Sequence, residues 1–115
     1  RILGGGMISK AEHASRYYRK SLAVKELIRK EYLRVLKDVD CILLPTVPRL
    51  PHEIGASIRI EDMYNYDALT CPANLAGIAA LSMPKMNVKG MPVGLQLQAE
   101  TENVLFKAAE MINKI

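Results

Sequence analysis

Apolar residues recur at three- and four-residue spacing from Met7 to Lys37, through Ile8, Ala11, Ala14, Tyr18, Leu22, Leu27 or Ile28, Tyr32 and Val35, with no proline among them. That period predicts one long amphipathic helix. Over residues 7–37 it would run about 46 Å, against a diameter of roughly 34 Å for a compact chain of this length. Such a helix either breaks, with Ser21 as the candidate point, or lies along a body larger than this chain.

The period then changes. Asp40–Pro45 (DCILLP) is a short continuous apolar run ended by proline, the pattern of a strand buried on both faces inside a sheet. Residues 46–59, interrupted by Pro48, Pro51 and Gly55, show little periodicity and read as a surface loop, and Glu61 or Asp62 begins a further turn of helix leading to Tyr64 and Asp67. Punctuation is densest from Tyr64 to Gln98. Thr70 is placed to cap a short helix with Cys71 and Pro72 at its first two positions, where a missing N–H removes no intrahelical bond, and Gly77 supplies a left-handed stop. Ile78–Met83 reads as a buried strand closed by Pro84, and Pro84, Asn87, Gly90 and Pro92 mark a connecting loop. Val93–Ala99 alternates apolar and polar residues, as a strand covered on one face does. An amphipathic helix from about Glu100 to Lys114 follows, opened by Thr101 and carrying Val104, Leu105, Ala108, Met111 and Ile112. The elements predict an α/β chain with a long helix, about three strands of a larger mixed sheet and a terminal helix.

Composition narrows the class without changing the architecture. The chain has 115 residues, 50% hydrophobic and 24% charged, which is one ordinary domain by length. It has no run of about 18 apolar residues that would span a membrane and no basic-then-apolar leader, so no membrane partner and a cytoplasmic setting are expected. Arg1 stands where an initiator methionine would, which suggests a piece of something longer. Cys41 and Cys71 lack metal-cluster spacing and read as reduced, buried thiols. His13 and His52 have no carboxylate or cysteine at ligand spacing, and the dispersed tyrosines read as core filling rather than a stacking platform. The net charge of +4 is unevenly spread, with residues 1–37 holding +7 and the remainder −3. A basic helix can meet phosphates; a solvated face with pairs such as Glu12–Arg16 and Glu26–Lys30 is the simpler reading.

ThrCysProAlaAsnLeuAlaGly at 70–77, AlaLeuSerMetPro at 80–84, a glycine-bearing loop and MetProValGlyLeuGlnLeu at 91–97 resemble the C-terminal part of the amidase-signature family. AspCysIleLeuLeuProThrValPro at 40–48 and ArgIleLeuGly at 1–4 extend the likeness over nearly the whole chain. Within that family the sequence is most similar to A subunits of tRNA-dependent amidotransferases. Residues 1–115 would then be a C-terminal fragment of a single amidase-signature domain. The resemblance implies a serine nucleophile, a second serine and a lysine base lying upstream, so no catalytic residue is expected here. Gly4–Gly6 has no following serine pair and no phosphate-loop ending, and reads as a flexible lead into the helix. Ala79 stands where the family often has proline.

What the resemblance assigns to this stretch is recognition of glutamine. Arg1 would take the carboxylate, for which a guanidinium fork is well shaped, and Asp67 the ammonium, with Thr70 and Asn74 in support. Read without the resemblance, Asp67 is a turn or helix-start residue, and Asn74 either ties backbone beside Asp67 or is helix surface. The full subunit would hydrolyse glutamine and pass ammonia to convert Glu-tRNA(Gln) or Asp-tRNA(Asn) to the amide. It would act with B and C subunits, tRNA being held mainly by the B subunit. ATP and magnesium would belong to the partner subunit, with none bound by this chain. Two other functions fit the residues less closely: a general amidase for small amides, against which Asp67 argues, and a non-catalytic basic binding module.

Overall fold

A computed structural model describes residues 2–8 and 17–114. In chain order the elements are α1 (Ile2–Ile8), α2 (Arg19–Val35), β1 (Ile42–Pro45), α3 (Ile60–Asn65), α4 (Cys71–Ala76), β2 (Ala79–Val88), β3 (Met91–Ala99) and α5 (Glu102–Asn113). The three strands form one antiparallel sheet in the order β1-β3-β2, in keeping with the mixed helix-and-strand class expected.

β3 is the centre. Leu43, Leu97 and Leu81 lie side by side across the sheet, as do Leu44, Gln96 and Ser82, so the pleat sorts the strands into two faces. On the first face Leu97 and Ala99 meet Leu105 and Ala109 of α5, with Cys41, Ala79, Leu81, Met83, Val104 and Ile112 closing around them. α5 begins at Thr101, whose hydroxyl accepts from Val104 N at 3.5 Å, as the sequence predicts. On the second face lie Gln96 and Gln98, both buried. This corrects the expectation of a strand covered on one side. The alternation is real, but the polar residues turn toward α2 and the turn before α4, where their amides find partners. Gln98 Nε2 donates to Leu69 O at 3.3 Å and to Gln96 Oε1 at 2.5 Å. The Tyr32 hydroxyl lies beside Gln98; burial pushes its pKa up, and the amide works in the opposite direction.

β1 departs from expectation in the other sense. It is an edge strand, and Leu43 is half exposed; among the described residues no strand lies beyond it. β2 runs through Pro84 to Val88 instead of stopping. It is the opposite edge, where a residue without an N–H is tolerated, and a bulge between Pro84 and Met86 absorbs the irregularity. The expected connecting loop shrinks to Lys89 and Gly90, with φ of 52° and 82°, the two left-handed residues of a tight hairpin turn. Pro92 is part of β3.

Ser21 does not break the helix. It lies inside α2, and its hydroxyl donates to Tyr17 O at 2.9 Å. Gly4–Gly6 lie within α1; a Cβ on Gly5 or Gly6 would meet nothing, so no close approach demands glycine there. α2 packs on α4, where Ala73 and Ala76 are buried. Arg29 reaches from α2 to the end of α4, donating through Nη1 to Ala76 O at 2.5 Å and Gly77 O at 3.2 Å. Gly77 has the predicted left-handed conformation, φ 64° and ψ 43°. A cation on the last carbonyls of a helix complements its dipole.

The chain is thin. Its extents are 53 × 43 × 17 Å and its radius of gyration is 17.2 Å, against about 13 Å for a compact chain of this length. It exposes 8910 Å², where a closed globule of this mass would expose about 6,300 Å². Tyr17, Tyr18 and Tyr64 are each nearly half exposed, so these three do not fill a core as expected. Cys71 is exposed as well, and Cys41 is half-buried, both as free thiols.

Two stability outcomes follow. At Gly94 a Cβ would lie 2.6 Å from Thr46 Oγ1, 2.8 Å from Ser82 Oγ and 3.1 Å from Thr46 Cβ, because the two hydroxyls meet at 2.6 Å across β3. Thr46 cannot rotate its Cβ away, so Gly94→Ala should destabilise the protein that carries this chain by about 1–3 kcal/mol, read as a lower melting midpoint; an unchanged midpoint would disprove the close fit. Arg29→Met keeps the stem and removes both bonds to α4. It should cost about 1–2 kcal/mol in a denaturant titration, and a neutral result would mean that water serves those carbonyls equally well.

Candidate functional site

Of the four residues singled out for recognition, three share one short stretch. Asp67, Thr70 and Asn74 lie in a succession of turns that joins α3 to α4. Asp67 N donates to Tyr64 O at 3.2 Å and Ala68 N to Asn65 O at 3.1 Å, continuing the winding of α3. Asp67 O then accepts from Thr70 N at 3.2 Å, Cys71 N at 2.9 Å and Thr70 Oγ1 at 3.3 Å. Three donors on one carbonyl fix the backbone under Asp67, which is itself exposed.

Thr70 occupies the expected N-cap position, but its hydroxyl points back to Asp67 O and makes no cap bond. The reason is local. The chain is already helical at Thr70, with φ −96° and ψ −36°, and Cys71 N is served by Asp67 O, so the start of α4 is satisfied by the preceding turn rather than by a side chain. Asn74 Nδ2 donates to Thr70 O at 3.1 Å, tying backbone one turn away rather than Asp67 itself. Arg1 and His13, like the Glu12–Arg16 pair, fall outside the described residues.

Several supporting residues escaped the sequence reading. Gln98 anchors the Asp67 turn to β3 through Leu69 O. Its own Oε1 is buried without a hydrogen-bond partner. Asp62, in the first turn of α3, takes two guanidinium groups: Arg49 Nη2 on Oδ1 at 3.0 Å and Arg59 Nε on Oδ2 at 2.9 Å. The hydrogen bond from Arg59 holds its carboxyl below the usual carboxylate range; desolvation opposes this, and the charges of Arg59 and Arg49 add to it. Only the spacing Arg59–Asp62 could have signalled that pair; Arg49 is brought in by the loop. His52 Nδ1 lies 3.2 Å from Tyr66 Oη, which donates to Leu50 O at 3.4 Å.

Chemically, the stretch offers an exposed carboxylate on a turn whose backbone is held by hydrogen bonds. Among the described residues no group of three or more His, Cys, Asp and Glu could hold a metal ion, and no helix is long and apolar enough to cross a membrane. The basic helix is partly engaged within the chain, Arg29 on α4 and Arg34 on Glu31 at 2.9 Å.

Residues 1–103 match the model of the Amidase family. The A subunit of the glutamyl-tRNA(Gln) amidotransferase from Methanosphaera stadtmanae is 52% identical over 103 residues, covering 90% of this chain and 23% of that protein. Its counterpart from Methanocaldococcus jannaschii is 44% identical over 108 residues, covering 91% and 25%. Among solved structures, the A subunit of the glutamyl-tRNA(Gln) amidotransferase from Thermotoga maritima superposes with a TM-score of 0.71 at 35% identity, over 87% of this chain and 22% of that one. This chain thus spans about a quarter of the length of the curated relatives it matches. With residues 1–103 matched by the family and 87% of its length superposing on a solved relative, the chain belongs to the amidase family.

Proposed function

We propose that this chain is the C-terminal part of the glutamine-hydrolysing A subunit in a tRNA-dependent amidotransferase, and that its own task is to recognise glutamine. The observation that carries the reading is the backbone clamp on Asp67. A carboxylate displayed at the surface, on a turn whose carbonyl takes three hydrogen bonds, is a fixed acceptor for an ammonium group. The identity of 44–52% to proteins named as A subunits of glutamyl-tRNA(Gln) amidotransferase supports the choice over a general amidase.

In this reading the acyl chemistry belongs to serines and a lysine outside these 115 residues. Arg1 takes the carboxylate of glutamine and Asp67 the ammonium, with Thr70 holding the Asp67 carbonyl and Asn74 holding Thr70. Together the two charges select a free amino acid over a simple amide. Ammonia released from the side-chain amide goes to a B subunit, where ATP and magnesium activate the misacylated tRNA, with a C subunit completing the complex. A cytoplasmic location goes with that role.

Asp67→Ala in the full-length subunit removes the ammonium acceptor while leaving the turn's backbone bonds possible. It should lower kcat/KM for glutamine by about 10–100-fold, the worth of a charged hydrogen bond, with an unchanged melting midpoint. Turnover and KM equal to those of the parent protein would refute the role of Asp67.

A further inference from the structure

Residues 46–59 form a strap rather than a free loop. Thr46 N still bonds to Gly94 O at 2.8 Å; beyond it the path is fixed largely by side chains. Arg49 and Arg59, near its two ends, converge on Asp62, whose side chain is only 16% exposed. Between them Leu50 O accepts from the Tyr66 hydroxyl. Because that hydroxyl has one proton to give, its contact with His52 Nδ1 is completed by the imidazole donating. The His52 and Tyr66 rings also approach, with centroids 6.1 Å apart.

Asp62 and Tyr66 are four residues apart on one helical run, so they present one face. The strap therefore grips that run at two points a turn apart, which fixes its rotation about its own axis. Asp67 follows Tyr66 directly, on the same winding. A carboxylate held about 6 Å from a helix axis moves roughly 1 Å for a rotation of about 10°, and a misplacement of that size can cost up to about 100-fold in a recognition step.

We propose that Asp62 is a positioning residue for amino-acid recognition: by holding Arg49 and Arg59 of the strap against one face of α3, it sets the direction in which Asp67 presents its carboxylate. This rests on the reading of Asp67 as the ammonium acceptor. Glu61, the neighbouring carboxylate in the first turn of α3, points elsewhere on the helix and cannot replace it, since it lies one residue, or about 100°, around the axis.

The test uses the full-length subunit with two substrates, glutamine and glutaramic acid, which has the same amide and carboxylate but no ammonium. Asp62→Asn should lower the ratio of their kcat/KM values about fivefold, most of the loss falling on glutamine, and Asp62→Glu should restore part of it. An equal loss on both substrates would show a purely structural role, and no loss on either would show no role; each overturns the inference and leaves the Asp67 reading standing. Asp67→Asn is run alongside. If that variant fails to lower the ratio, the ammonium reading falls and the positioning role falls with it.

Discussion

β3 has to satisfy partners in four directions at once: a strand on each edge, α5 on one face, and the α2 layer with the Asp67 turn on the other. The apolar face is an ordinary solution, with Leu97 and Ala99 fully buried under α5. The polar face is the constraint on which the candidate site depends. A buried amide costs free energy unless its hydrogen bonds are made, and Gln98 makes two of them by drawing in Leu69 O and Gln96. The tie to Leu69 holds the turn that carries Asp67 against the sheet. Were Gln98 apolar, the same strand would form, but its side chain would no longer specify where that turn sits.

A second set of contacts holds the same turn from the other side. Arg29 fixes the end of α4 and the strap fixes α3, so the residues between them, 66–70, are held at both ends and in the middle. These contacts differ in their response to pH. The bonds of Arg29 and Gln98 involve no carboxylate. The carboxyl of Asp62 is held below its ordinary range, so its contribution is complete above about pH 4 and is lost as the pH falls through the depressed value.

Much of this architecture was legible because it rests on local rules. The reach of α5 from Thr101, the stop at Gly77, the irregular path of 46–59 and the presence of three strands follow from caps, glycine and periodicity. Where the reading failed, the deciding partner was distant in sequence. Gln96 and Gln98 look like solvent-facing residues until Leu69 and Tyr32 are brought over them. Pro84 looks like a strand end until β2 proves to be an edge. Lys89 looks unsuited to a left-handed turn, since lysine carries none of the preference of asparagine or glycine. The candidate site divides in the same way: Asp67 and Thr70 are singled out by a motif, whereas Asp62, paired with Arg49 thirteen positions away, has no local signature.

An exposed carboxylate is a poor selector by itself. Opposite charges meeting in water contribute at most about 1 kcal/mol, too little to separate a zwitterion from a neutral amide with any rigour. The same contact is worth more once water is excluded and the acceptor does not have to reorganise. The chain supplies the second condition: the Asp67 backbone is clamped by three donors, and the helix before it is gripped at two points. The first condition requires another surface closing over Asp67, which is exposed in this chain. Discrimination by ammonium pairing should therefore belong to the assembled subunit, and the preorganised turn is what lets the assembly gain affinity without first having to order the acceptor.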